Sequence, residues 1–208
     1  MEQTENRTER KKEETRKKII AVAMELFNKQ GFDQTTVEQI AAKADVARGT
    51  VYNHFPEKEA IIYEYVQGVI REQKTEVISH LKQLPDTRSR LIEALRKSLE
   101  WMHIEPNKDI FEIYFNYRMQ KGVQALRDRD TRMSSVFKDV LEYILDLGKE
   151  TGEIRSDKHS RILASYLDTF HSMTAIVWLV FPEMFSIHEG INDNVDLFLN
   201  GAKKQDGQ

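Results

Sequence analysis

Apolar residues recur every three or four positions along most of this chain, and the stripes break at glycine, proline or aspartate. Ile19, Ile20, Ala23, Leu26 and Phe27 form the first stripe, which predicts a helix from about Thr15 to Gln30. Gly31 supplies a left-handed stop, with Phe32 placed to fold back on the helix. Val37, Ile40, Ala41 and Ala44 predict a two-turn helix, and Thr36 and Gln39 have capping-box spacing at its start. Asp45-Val46 makes the next turn, since aspartate tolerates the left-handed conformation. Ala47 to Phe55 then reads as a short helix with only Val51 and Phe55, at i,i+4, facing inward. Pro56 breaks it, and Glu57 opens a fourth helix expected to reach Leu84, about 40 Å at 1.5 Å per residue. Ile61, Tyr65 and Val69 pack its inner side.

The rest reads as a helical array. Thr87–His103 carries Leu91, Leu95, Leu99 and Met102 on one face between Pro85 and Pro106. Asn107–Met119 is rich in aromatics and stops near Gly122, with a short piece following over Val123–Arg129. Met133–Glu150 ends at Thr151-Gly152. Asp157 is placed to cap a helix that runs to Phe181, and the last helix covers Ile191 to about Ala202. The expectation is an all-α chain of about nine helices with no strand.

The segment Ala47–Phe55 organises the function. Its outward residues Arg48, Gly49, Thr50, Tyr52, Asn53 and His54 form one polar surface. A glycine inside so short a helix costs about 1 kcal/mol against alanine, a cost that makes sense where something bulky approaches the backbone. By itself the segment also fits an exposed amphipathic turn. Preceded by a capped helix and a tight turn, it has the helix-turn-helix arrangement that sets a helix into the DNA major groove.

The chain here resembles the tetracycline-repressor-like (TetR) transcriptional regulators. The matching residues run from Thr15-Arg16-Lys17-Lys18-Ile19-Ile20 through Ala23, Leu26-Phe27, Gly31-Phe32, Thr35-Thr36-Val37 and Ile40-Ala41. They continue with Val46-Ala47-Arg48-Gly49-Thr50-Val51-Tyr52, His54-Phe55 and Lys58-Glu59. Two positions depart from the family pattern: the usual turn glycine is Asp45, and the usual serine cap of the reading helix is Ala47, a loss of about 1 kcal/mol. The resemblance implies a helix-turn-helix domain over 13–58 behind a flexible charged arm over 1–12, and a helical effector-binding and dimerisation domain over 59–208. It implies a homodimeric repressor, paired through the last two long helices and released from a near-palindromic operator by a small hydrophobic or aromatic effector. Arg48 would read guanine, and Thr50 and Asn53 base edges or methyl groups, with Gly49 admitting the groove. Thr36, Tyr52, His54 and Lys58 would fix register on phosphates. Activation in place of repression is equally compatible with the sequence.

Composition changes this picture little. The 208 residues are 40% hydrophobic and 31% charged, with nine glycines, four prolines and no cysteine, so disulfides and thiolate catalysis are excluded. No apolar run approaches the roughly 18 residues of a membrane span and the N-terminus is charged, so a cytoplasmic protein is expected. Residues 1–58 carry 11 Lys and Arg against 10 Asp and Glu, a weak electrostatic signature for a DNA-binding unit. Lys11, Lys12, Arg16, Lys17 and Lys18 crowd the entry to the first helix, where a basic run is either a solvated terminus or an arm for phosphates.

No catalytic constellation stands out: there is no Gly-rich phosphate loop, nucleophile elbow or His-Glu-x-x-His helix. Glu100-x-x-His103 and Asp168-x-x-His171 have the spacing used by di-iron bundles. They define the alternative, a metal-dependent oxidase, although a full site needs two further carboxylates on facing helices and a second Glu-x-x-His in place of Asp-x-x-His. Neither a metal nor a cofactor is otherwise expected. Trp101, Phe111, Tyr114, Phe115, Tyr166, Phe170 and Trp178 lie on helices of the second domain, each a core residue or a lining residue of an apolar cavity. Arg118 and His171 would add polar groups to such an effector pocket.

Overall fold

The computed structural model describes residues 2–99, 108–127 and 135–202, with side chains described over 7–99, 109–124 and 135–200. Among them are nine helices and no strand. They are α1 (Glu2–Gln30), α2 (Val37–Lys43), α3 (Arg48–His54), α4 (Lys58–Leu81) and α5 (Thr87–Ser98), then α6 (Lys108–Arg127), α7 (Val136–Glu150), α8 (Ser160–Val180) and α9 (Ile187–Ala202). No described helix is long and apolar enough to cross a membrane. The chain divides into two compact units, one of Met1–Val66 with Glu105–Lys121 and one of Gln67–Ile104 with Gly122–Gln208. Helices α4 and α6 each belong partly to both.

In the first unit, Ile19, Ala23, Leu26 and Phe27 of α1 are buried as the periodicity predicts. Gly31 turns the chain at φ 87°, and the Phe32 ring lies 5.0 Å from that of Phe27. The helix begins at Glu2, well before the predicted Thr15. An apolar stripe marks only the packed half of a helix, whereas this opening half is polar, free of Gly and Pro, and tied by pairs such as Arg10–Glu14 at i,i+4. The α6 residues Ile110, Phe111, Tyr114, Phe115 and Tyr117 are buried in this unit. Tyr63 of α4 stacks on Tyr114 at 6.0 Å and tilts against Tyr117 at 5.8 Å.

The second unit holds α5, α7, α8, α9 and the remaining parts of α4 and α6. Its centre is Leu91 and Leu95 of α5, Leu141 and Ile144 of α7, Leu167 of α8 and Val195 of α9, all fully buried. Helices α5 and α7 meet closely at Gly148, where an added Cβ would lie 2.5 Å from Thr87 Oγ1 and 2.7 Å from Ile154 Cγ1.

Several predicted boundaries need correction. Helix α4 stops at Leu81, short of Leu84, because the Arg90 guanidinium donates to the carbonyls of Leu81 and Leu84 and so closes the end. Helix α6 continues through Gly122 to Arg127, so the described part of the piece predicted over Val123–Arg129 is its last turn, and Asp128 and Arg129 lie outside the described residues. A single helical glycine costs only about 1 kcal/mol, too little to stop a helix of this length. Asp157 does not cap α8: Arg155 binds its carboxylate through two nitrogens, and the helix starts at Ser160 after His159. Helix α9 begins at Ile187, a turn earlier than expected. Ser186 and Glu189 form a reciprocal cap there that the hydrophobic pattern did not reveal.

Candidate functional site

Three local features build the outward face of α3. Thr36 caps α2 by accepting from Gln39 N, while the Gln39 side chain accepts from Thr36 N, the predicted capping box. Asp45 takes φ 52°, which reverses the chain between α2 and α3. Helix α3 has no side-chain cap at Ala47 and is held from below by Val51 and Phe55, 1% and 2% exposed.

With those two anchors inside, Arg48, Gly49, Tyr52 and Asn53 are exposed and Thr50 and His54 half-buried. A Cβ at Gly49 would meet nothing within 4 Å, so no neighbour inside the protein requires glycine there. Arg48 pairs with Glu38 of α2 at 2.8 Å and its guanidinium carbon lies 5.4 Å from the centre of the Tyr52 ring. Contact with Tyr52 and then Glu38 raises its pKa further, so it is a permanent cation. His54 goes the other way. Burial first, then the neighbouring cations Arg16 and Lys12, hold its imidazole below the ordinary 6.5, with Glu13 opposing.

Two basic residues serve the scaffold. Lys58 Nζ donates to the carbonyls of Phe32 and Thr35 at 2.9 and 2.8 Å and sits 4.2 Å from the Phe32 ring centre. It thus straps the α1–α2 loop to the start of α4, a role that no local pattern signals. Arg16 pairs with Glu64 at 2.7 Å and covers the Phe55 ring at 4.9 Å, tying α1 to α4 beneath α3. The sequence places Arg16 in a basic run and among the residues that resemble the family, and neither reading assigns it this tie.

The residues expected around an effector separate. Trp101 lies outside the described residues, as do Glu100 and His103 of the alternative metal site. Phe111, Tyr114 and Phe115 are core of the first unit, where Arg118 is half-buried on the same helix. Tyr166 and Phe170 stand on the outer face of α8, 58% and 52% exposed, so neither lines a cavity. Trp178 is half-buried on α8. His171, 2% exposed, stands beside a cleft: its Nε2 lies 2.8 Å from Ser98 Oγ, and Ser98 lines that cleft. The cleft measures about 20 Å³ and runs between α4, α5 and α7 of the second unit. Ile70, Val77, Phe137 and Val140 make its apolar wall, and Gln73, Lys74 and Lys97 add polar groups. Sequence reasoning missed it because its walls come from three separate stretches. Among the described residues no three His, Cys, Asp or Glu side chains gather as a metal site.

Comparison with known proteins agrees with this geometry. Residues 19–65 match the family of bacterial regulatory proteins, tetR family. Over 198 residues the chain is 29% identical to the HTH-type transcriptional regulator AcrR of Shigella flexneri, covering 93% of this chain and 91% of the relative. It is 24% identical over 195 residues to HbdR of Aromatoleum sp. (strain CIB), covering 90% and 80%. Thermus thermophilus FadR, a TetR family repressor solved with lauroyl-CoA, superposes with a TM-score of 0.72 at 26% identity, over 93% of this chain and 98% of that one. RolR solved with resorcinol gives 0.63 at 20% identity over 94% and 91%, a likeness of fold alone. These relatives are regulators, and nothing among them supports a metal-dependent oxidase.

Proposed function

We infer, from the premise that this chain belongs to the tetR family of bacterial regulatory proteins, that it is a homodimeric repressor released from a near-palindromic operator by a small effector. The observation that carries the reading is the outward polar face of α3, held by Val51 and Phe55 and positioned by the Thr36 cap and the Asp45 turn. Arg48 reads a base, most naturally guanine, after giving up its solvent-exposed pair with Glu38. Thr50 and Asn53 touch base edges or methyl groups, Gly49 admits the groove wall, and Thr36, Tyr52 and His54 set register on phosphates. Lys58 acts first through its strap on the loop before α2.

The dimer forms through α8 and α9. Ile162, Tyr166, Phe170 and Met173 fall at i, i+4, i+8 and i+11 on α8 and are all exposed, as is Leu197 on α9. So long an apolar stripe on a water-facing helix fits a partner surface better than a free one. Two copies paired there make a four-helix interface and present two α3 helices to half-sites about one helical turn apart. The effector lodges in the second unit and favours a conformer whose two α3 helices are wrongly spaced, a coupling of about 1–3 kcal/mol.

The test is selection of bound DNA from a random pool, followed by a screen for small molecules that release the winner. A near-palindromic sequence and at least one releasing compound are expected. Binding with no sequence preference would mean a sequence-neutral DNA protein and would end this reading.

A further inference from the structure

We propose that Glu38 of α2 is a second base-reading residue, whose carboxylate accepts from the amino group of a cytosine beside the guanine taken by Arg48. This rests on the regulator reading above and adds to it one residue and one base.

Glu38 is exposed in the first turn of α2, just after the Thr36 cap. A carboxylate there favours the helix start through the helix dipole, a role that needs charge but no particular direction. The side chain nevertheless has one. Glu38 Oε1 lies 2.8 Å from Arg48 Nη1, across the turn that separates α2 from α3. The same guanidinium reaches Tyr52 on its own helix, with Nη2 3.4 Å from the hydroxyl oxygen. Lys43, the other charged residue of α2, serves a different acid, Glu25 of α1, at 2.5 Å. The cation that faces Glu38 is therefore the one that leaves for a base. An acid on this face also lowers affinity for DNA of any sequence. Residues 1–58 carry only 11 Lys and Arg against 10 Asp and Glu, so the loss is not hidden by surplus positive charge.

Charge decides what Glu38 does once Arg48 has moved. In the free protein the two side chains neutralise one another. On DNA the guanidinium goes to the guanine edge, and a carboxylate stays behind at the mouth of a groove walled by phosphates. Guanine N7 and O6 and thymine O4 are acceptors and repel it. The donors on the major-groove edges are the amino groups of cytosine and adenine. Adenine sets its amino group beside the N7 lone pair, which also repels a carboxylate, whereas cytosine sets its own beside a C–H. Cytosine is the match. Reach then fixes the position. The two side chains meet at 2.8 Å, and successive base pairs are stacked about 3.4 Å apart. A carboxylate next to the guanidinium thus meets the base pair next to the guanine.

The experiment selects bound DNA from a random pool with the full chain as parent, Arg48→Ala and Glu38→Gln, each checked for folding by its melting curve. Arg48→Ala marks its guanine by losing it. The parent pool should carry cytosine at the neighbouring base pair. Glu38→Gln should keep the guanine and lose that cytosine, because an amide both donates and accepts. In titrations at one salt concentration, replacing that C·G pair by T·A should weaken the parent about fivefold or more, and Glu38→Gln by no more than about twofold. A dipole role alone would lower the melting point of Glu38→Gln and leave its selected pool like that of the parent. That result would overturn the proposal, as would a parent pool without the cytosine, the loss of guanine and cytosine together in Glu38→Gln, or no guanine lost in Arg48→Ala. In each of those cases a near-palindrome selected by the parent leaves the regulator reading standing. A parent pool with no consensus removes that reading, and this inference with it.

Discussion

Arg48 and His54 lie six residues apart on one short helix, yet opposite electrostatics govern them. Arg48 is fixed as a cation by Tyr52 and Glu38, and a bidentate arginine–guanine contact discriminates by about 1–3 kcal/mol per half-site. Arg48→Ala should therefore lower operator affinity at least tenfold while leaving binding to random DNA nearly unchanged. Titrations of both DNAs at one salt concentration check this, and an unaltered ratio would remove Arg48 from base reading. His54 is held below its ordinary 6.5 by burial and by Arg16 and Lys12. The unfolded chain then takes up a proton first, so His54 withdraws stability as pH falls through about 6.5, and the loss levels off below the folded pKa. A DNA phosphate reverses the bias by favouring the imidazolium. Operator affinity per contact should rise about two- to fivefold from pH 7.5 to 5.5 at constant ionic strength, and His54→Gln should flatten that dependence. A parent protein whose affinity ignores pH would take His54 off the phosphate.

Among elements, legibility in the sequence tracks how local the determinants are. The α2–turn–α3 unit was readable because the Thr36–Gln39 cap, the Asp45 turn and the i,i+4 spacing of Val51 and Phe55 are each written within four residues of sequence, and each behaves as expected. The polar half of α1 was not, since a helix without an apolar stripe leaves no periodic trace. The cleft was invisible because Ile70, Ser98 and Phe137 meet only in the folded chain. Tyr166 and Phe170 were misplaced for another reason: α8 also buries Leu163, Leu167 and Ala175, so apolar residues occupy both its faces and sequence cannot say which face is inside. Lys58 shows the same limit on one side chain, because its carbonyl partners lie 26 and 23 residues away. Lys58→Met keeps the stem and removes both hydrogen bonds. With the site part-buried, we expect a loss of about 1–2 kcal/mol, seen as a melting point about 3–6 °C lower, with the salt dependence of DNA binding unchanged. A salt slope reduced by about one at an unchanged melting point would instead make Lys58 a phosphate contact.

At the scale of the whole molecule, the decisive question is whether the face of α8 meets a second copy. The exposed stripe of Ile162, Tyr166, Phe170 and Met173 has too many large apolar side chains for a surface left in water. In a two-fold interface every substitution counts twice, because each residue appears once on either side of the axis. Burial of a phenylalanine contributes about 1.5–3 kcal/mol, so Phe170→Glu removes roughly 3–6 kcal/mol from association and adds two like charges. The variant should elute as a 24.4 kDa species in light scattering at micromolar concentration, while its α-helical circular dichroism stays that of the parent. Its operator affinity should fall at least a hundredfold, since a single α3 reads only half a palindrome, whereas binding to one isolated half-site should change little. A Phe170→Glu protein that remained dimeric, or a monomer that held the full operator as tightly as the parent, would require the partner surface to be sought elsewhere on the molecule.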